Sequence, residues 1–144
     1  QEVPPVFLEL TQISSQSDAI AGTALRGMAS AFATAAASDM NGTLEDWGYR
    51  AGAGEGECKI SGLWLCKEPV KTGIWECTPG GFDVPDRDNT ESVYIMSGKV
   101  RITDLKDGNL IKELGPGDGL VLPKGCSVRW DVLETTRKFF TISP

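Results

Sequence analysis

From residue 58 to the end, turn-forming residues cut the chain before any helix-length pattern develops. Short runs rich in β-branched and aromatic residues, "CKISGLWLC", "VKTGIWECTP", "FDVPD", "SVYIMSG", "KVRITDL", "LIKELG", "GLVLPK", "SVRWDVLE" and "RKFFTIS", follow one another closely. Turn signals stand at Pro79-Gly80-Gly81, Lys106-Asp107-Gly108 and Gly115-Pro116-Gly117-Asp118. Many brief strands at close intervals point to an all-β antiparallel sandwich or barrel, where closure removes exposed strand edges. In "KVRITD", Val100 and Ile102 share one face while Lys99, Arg101 and Thr103 share the other, so one face is core and one is wet. At 144 residues, with 40% hydrophobic and 24% charged, the chain suits one domain with a single sizeable core.

The first 45 residues follow a different period. In "SDAIAGTALRGMASAFATAAASDM", Ile20, Ala24, Leu25, Met28, Phe32 and Ala35 recur at helical spacing. Ser17 or Asp18 can cap the start and Asn41-Gly42 can stop it. The alanine-rich face, with Gly22 and Gly27, allows close packing at some cost in helicity. This amphipathic helix is a lid or docking element, or more simply a helix packed on the outside of the domain or on a second subunit; the simpler reading is preferred. Pro4 and Pro5 before it suit an edge or an arm. "RAGAGEGE", residues 50–57, reads as a linker or mobile loop and, lacking a following lysine, serine or threonine, not as a phosphate cradle. The expected division is an arm and helix over 1–45 and a barrel over 46–144.

Charge narrows the partners. The net charge of −6 with scattered basic residues argues against nucleic acid, which needs a concentrated basic face. No segment approaches the roughly 18 consecutive apolar residues of a membrane-spanning helix. Cys58, Cys66, Cys77 and Cys126 show no close C-x-x-C pair. Reduced thiols in a cytoplasmic protein are the preferred expectation, and two disulfides in a secreted one the alternative.

The segment from "GIWECTPGGFDV" through "ESVYIMSGKVRITD" to "LGPGDGLVLPKGCSVRWDVLETTRKFF" resembles the cupins, small double-sheet jelly rolls, and among them the branch related to ureidoglycine aminohydrolase. The features that carry the resemblance are Glu91 with Gly98 seven residues later, Gly117-Asp118, the Pro123-x-Gly125 turn, Trp130 and the Arg137-Lys138 pair, in that order. It spans residues 58–144. It implies a double-stranded β-helix barrel, here with an N-terminal helical extension, and a homodimer, since cupins commonly pair through sheet edges. It also implies that the face bearing Glu91, Val93 and Ile95 looks into the barrel while Tyr94 points away.

The departures are as informative. Metal-binding cupins carry two histidines shortly before this glutamate and a third three residues after the Pro-x-Gly turn. This chain has no histidine; the first stretch reads "FDVPDRDNTE" and the last position is Val128. A lone glutamate cannot replace three imidazoles at useful affinity, so no tightly bound transition metal is expected. Asp83, Asp86, Asp88, Cys77 and Cys126 could supply only a weaker oxygen or thiolate site with Glu91. An inward carboxylate needs a cation, and Arg129, Arg137 and Lys138 are the candidates.

Two readings follow. In one, the barrel binds a small polar metabolite, with Glu91 as anchor or acid/base in an isomerisation or hydrolysis, and Trp75, Cys77, Phe82 and Trp130 lining the site. In the other, the barrel is a non-catalytic binding or assembly module acting through dimerisation and the N-terminal helix. Glu91 pairing with a cation to fix strand register, and the tryptophans and cysteines as plain core, are the simpler alternatives for the same residues.

Overall fold

The computed structural model describes residues 41–144, so the expected helix before Asn41 lies outside the described residues. Within them every regular element is a strand. These are β1 (Glu45–Tyr49), β2 (Lys59–Cys66), β3 (Lys71–Cys77), β4 (Gly80–Val84), β5 (Thr90–Asp104), β6 (Leu110–Leu114), β7 (Gly119–Leu122) and β8 (Val128–Ser143). All pairings are antiparallel. No helix among the described residues is long and apolar enough to cross a membrane.

The two long strands roll the sheet into a jelly roll. The first half of β5 lies between β7 and the second half of β8, which in turn pairs with β3, followed outward by β2 and β1. The second half of β5 lies between β6 and the first half of β8, whose other edge takes β4. Register slips between β5 and β8 at Ser97 and Lys99, where both strands turn from one layer into the other. Gly98 makes that corner. Its φ is +88, and a Cβ there would collide with the Thr135 carbonyl oxygen and the Thr136 side chain. Thr136 ties the bend by accepting from the Lys99 amide at 3.0 Å and donating to the Glu134 carbonyl at 2.8 Å.

The sequence pattern thus divides too finely: "SVYIMSG" and "KVRITDL" are one strand, as are "SVRWDVLE" and "RKFFTIS". The glycine and the pair of threonines that separate these runs lie at bends inside continuous strands. Gly80 and Gly81 open β4 and do not form the turn, because Gly80 presses against Cys58 where a Cβ would not fit. "RAGAGEGE" is the closed loop of the β1–β2 hairpin, with the Arg50 amide donating to the Cys58 carbonyl at 2.9 Å.

Side-chain alternation builds the interior. Glu91, Val93 and Ile95 of β5 are buried and Ser92 and Tyr94 exposed; Val100 and Ile102 continue the inward face beyond the corner. From β8, Val128, Trp130, Val132, Thr136, Lys138 and Phe140 are buried, and from β3, Trp75 and Cys77. Val93, Ile95, Val100, Ile102, Leu114 and Leu122 pack with the apolar residues among these into one contiguous core.

Candidate functional site

The register of three strands places a lysine at the centre of an aromatic cluster. Lys138 on β8 sits opposite Trp75 on β3 and Ile95 on β5, while Trp130, eight residues back on the same face, sits opposite Phe82 on β4. Trp130 stacks on Phe82 at 6.3 Å and 5°, and the Trp75 ring lies 5.9 Å from Trp130. The Lys138 ammonium lies 4.5 Å from the ring centroids of both Trp75 and Trp130. Each such contact contributes about 0.5–2 kcal/mol when shielded from water.

The carboxylate of Glu91 receives that ammonium. Lys138 Nζ donates to Glu91 Oε1 at 2.7 Å and reaches Oε2 at 3.3 Å. The residues are 6% and 4% exposed, so this is a buried ion pair. Arg87 approaches the same carboxylate at 3.6 Å through Nη2, which also donates to Asn89 Oδ1 at 2.9 Å. Burial pushes the Lys138 ammonium below the ordinary lysine value; Glu91 opposes this, and the charges of Arg87 and Arg50 add to the downward push. Of the three cations considered for Glu91, Lys138 is the partner. Arg129 instead bridges Asp83 at 3.0 Å and Asp131 at 3.1 Å, and Arg137 bonds Glu76 at 2.9 Å. Both lie beside an inward residue in sequence and therefore on the outer face.

The pair opens onto a cavity of about 680 Å³. Trp75, Phe82, Glu91 and Trp130, four of the five residues named from the sequence for a ligand site, line it together with Lys138 and Phe140. Cys77 does not line it. Among the lining residues that sequence reasoning overlooked are Trp47, Arg50, Trp64 and Arg87. Trp47 lies flat over Gly62, where any side chain would strike its ring, and so stacks on Trp64 at 5.2 Å. Arg87 could have been found as the basic residue four positions before Glu91; Arg50 was hidden because it follows the short, charged strand β1.

The donors for a metal do not fit the cupin pattern. Among the described residues no three His, Cys, Asp or Glu side chains converge. At the carboxylate that would serve as ligand stands an ammonium at 2.7 Å, whose charge opposes a second cation. Val128 is buried in the apolar core, and Asp83 is held by Arg129. Asp86 and Asp88 line the cavity from its exposed rim.

The four cysteines are free thiols. Cys58 and Cys77 are fully buried beside each other; burial, then the Cys58 neighbour, pushes the Cys77 thiol up to about 12, and burial likewise raises Cys58. A raised thiol value means the fold holds a proton that the unfolded chain releases. The stabilisation is therefore complete below the ordinary value of 9.0 and is lost as pH rises from there toward about 12. The expected result is that Cys77→Ala flattens the decline in urea stability above pH 9.0, relative to wild type. At pH 8, a thiol reagent should label half-buried Cys66 and Cys126 well before Cys58 and Cys77.

No curated protein matches the chain. Among solved structures, the EutQ protein of Clostridium difficile is 21% identical over 60% of this chain and 69% of its own, with a TM-score of 0.53. An ethanolamine utilization protein Q of Salmonella typhimurium LT2 is 18% identical over 67% of this chain and 77% of its own, with a TM-score of 0.56. These two likenesses establish the fold. A DUF861 family protein of Thermotoga maritima is 40% identical over 46% of this chain and 73% of its own, with a TM-score of 0.43. The model of the EutQ-like cupin domain matches residues 66–140, just over half of the 144 positions, and the chain belongs to that cupin family.

Proposed function

We propose that the barrel binds a small polar metabolite between the Glu91–Lys138 pair and the aromatic walls, without a tightly bound transition metal. The observation that carries this reading is the buried pair opening onto an aromatic-lined cavity of about 680 Å³, within the usual range for small-molecule sites. A merely structural ion pair has no need of adjoining space. Where the site is catalytic, isomerisation or hydrolysis is the reaction class, in keeping with the sequence resemblance to the ureidoglycine aminohydrolase branch. Glu91 then carries the proton, with Lys138 at 2.7 Å as the neighbour that exchanges it. The test is a metabolite thermal-shift screen on wild type and Glu91→Gln, with metal analysis of protein purified without chelator. Stabilisation that Glu91→Gln removes is expected. Stoichiometric transition metal overturns the metal-free part, and a ligand whose stabilisation ignores the substitution takes Glu91 out of the site.

A second reading, assembly through dimerisation, draws on the outer face. Tyr94 on β5 and Val121 on β7 are 50% and 60% exposed and lie on the same face of paired strands. Exposed apolar residues grouped in this way suit a partner surface. Light scattering on a sizing column should give a dimer for wild type and a monomer for Tyr94→Ser/Val121→Lys; two proteins of equal mass remove this face from any interface.

A further inference from the structure

Three cations and three carboxylates line the cavity, but only one of the carboxylates is buried among the cations. Arg50, Arg87 and Lys138 all line it, and Glu91 is the buried carboxylate among the described residues. Both oxygens of Glu91 are already taken by Lys138, with Arg87 beside them. The carboxylates of Asp86 and Asp88 sit at the exposed rim, where Ser127 and Asn89 donate to them. Arg50 has no acidic partner among the described residues. Its guanidinium lies over the Phe82 ring, 4.9 Å from the centroid. The Nε atoms of Arg50 and of Arg87 are both buried, and neither has a hydrogen-bond partner among the described residues.

Buried donors are nearly always paired, because an unpaired one has given up water for nothing. Two cavity-lining arginines, each with a buried Nε left unpaired among the described residues, therefore point to an acceptor that these residues do not provide. A planar carboxylate matches the guanidinium fork better than a neutral carbonyl, and charge-assisted bonds are the stronger ones. The same anion would offset the repulsion that Arg50 and Arg87 exert on Lys138. One wall of the cavity is aromatic, with Trp47 stacked on Trp64 and Trp64 edge-on to Phe140 at 5.6 Å, which suits a carbon body and not a bare inorganic ion.

We infer that the molecule taken by the barrel is an organic carboxylate, its anionic group held by Arg50 and Arg87 and its body resting on the Trp47–Trp64 wall. This rests on the reading of the cavity as a small-molecule site, and it names the class of molecule. Arg50 and Arg87 are then specificity-determining residues. The aromatic cage is filled by the protein's own Lys138, so the open part of the cavity selects anions even though the chain as a whole is acidic, at −6.

The test compares acids with their amides by calorimetry: benzoate with benzamide, hexanoate with hexanamide, and inorganic phosphate as a separate arm, on wild type, Arg50→Gln and Arg87→Gln. Each acid should bind at least about tenfold more tightly than its amide, and Arg50→Gln should remove about tenfold of the acid affinity while sparing the amide. Without ligand, Arg50→Gln should melt close to wild type, because the relieved repulsion on Lys138 offsets the lost contact with the Phe82 ring; a clear fall in melting temperature makes Arg50 a structural strut and overturns its assignment. Equal binding of acid and amide overturns the anion inference and leaves the cavity reading standing. Binding of phosphate alone overturns the organic body. No binding by any probe, neutral or charged, overturns the inference together with the cavity reading beneath it.

Discussion

Glu91→Leu is expected to destabilise the fold by about 3–5 kcal/mol, and Glu91→Leu/Lys138→Met to restore most of that loss. The single change removes the carboxylate that receives Lys138 at 2.7 Å and leaves an ammonium that is 6% exposed. Arg87 and Arg50 then add repulsion with nothing to oppose it. Lys138→Met alone should cost less, because Arg87 stands 3.6 Å from the Glu91 carboxylate and can take over as its counter-ion. The methionine also keeps the contact with Trp75 and Trp130 through its flexible apolar stem. In the double variant both desolvated charges are gone, and apolar side chains of similar volume often match or exceed a buried pair in stability. Urea unfolding of the four proteins gives the coupling energy directly. Single costs below about 1 kcal/mol would show that water in the cavity solvates the pair, and the description of it as buried would fall.

Gly98→Ala is expected to cost more than about 2 kcal/mol, a sum of two penalties. A left-handed backbone costs a residue with a Cβ about 1–2 kcal/mol. The Cβ would also strike the Thr135 carbonyl oxygen, backbone that no rotamer change can move. Gly117 supplies the control. Its φ is +90 but open space surrounds it, so Gly117→Ala incurs the backbone term alone. Equal losses at the two positions would mean that the corner relaxes and that Gly98 does not fix the bend. If Gly98→Ala also weakens ligand binding in the cavity, the corner sets the relative position of Glu91 and Trp130, which lie on opposite sides of it along β5 and β8.

Alternation made much of this barrel legible. Glu91, Val93 and Ile95 turn inward and Tyr94 outward because side chains alternate along a strand. The parity that puts Trp130 inside also puts Lys138 inside and turns Arg129 and Arg137 out, so the partner of Glu91 was already encoded in "RWDVLETTRK". The corner was not legible. A glycine with positive φ between two alternating runs looks the same in sequence whether it makes a turn or bends one strand, and only the register with β8 distinguishes them. β1 was missed because its residues are exposed or half-buried, which leaves no apolar period to detect. Arg50 and Trp47 were missed with it. The cavity needs both hairpin partners, β1 and β2, to form its wall, and a wall made across strands leaves no local sequence pattern.

Trp47, Trp64, Trp75 and Trp130 are all the tryptophans in the chain, and all four line the cavity. Intrinsic emission therefore reports on that space alone. The most direct test of the barrel as a small-molecule site is the tryptophan spectrum during titration with small organic acids and their amides. A saturable, one-site change in emission is the predicted result, and spectra that stay superimposable across the whole series would contradict it.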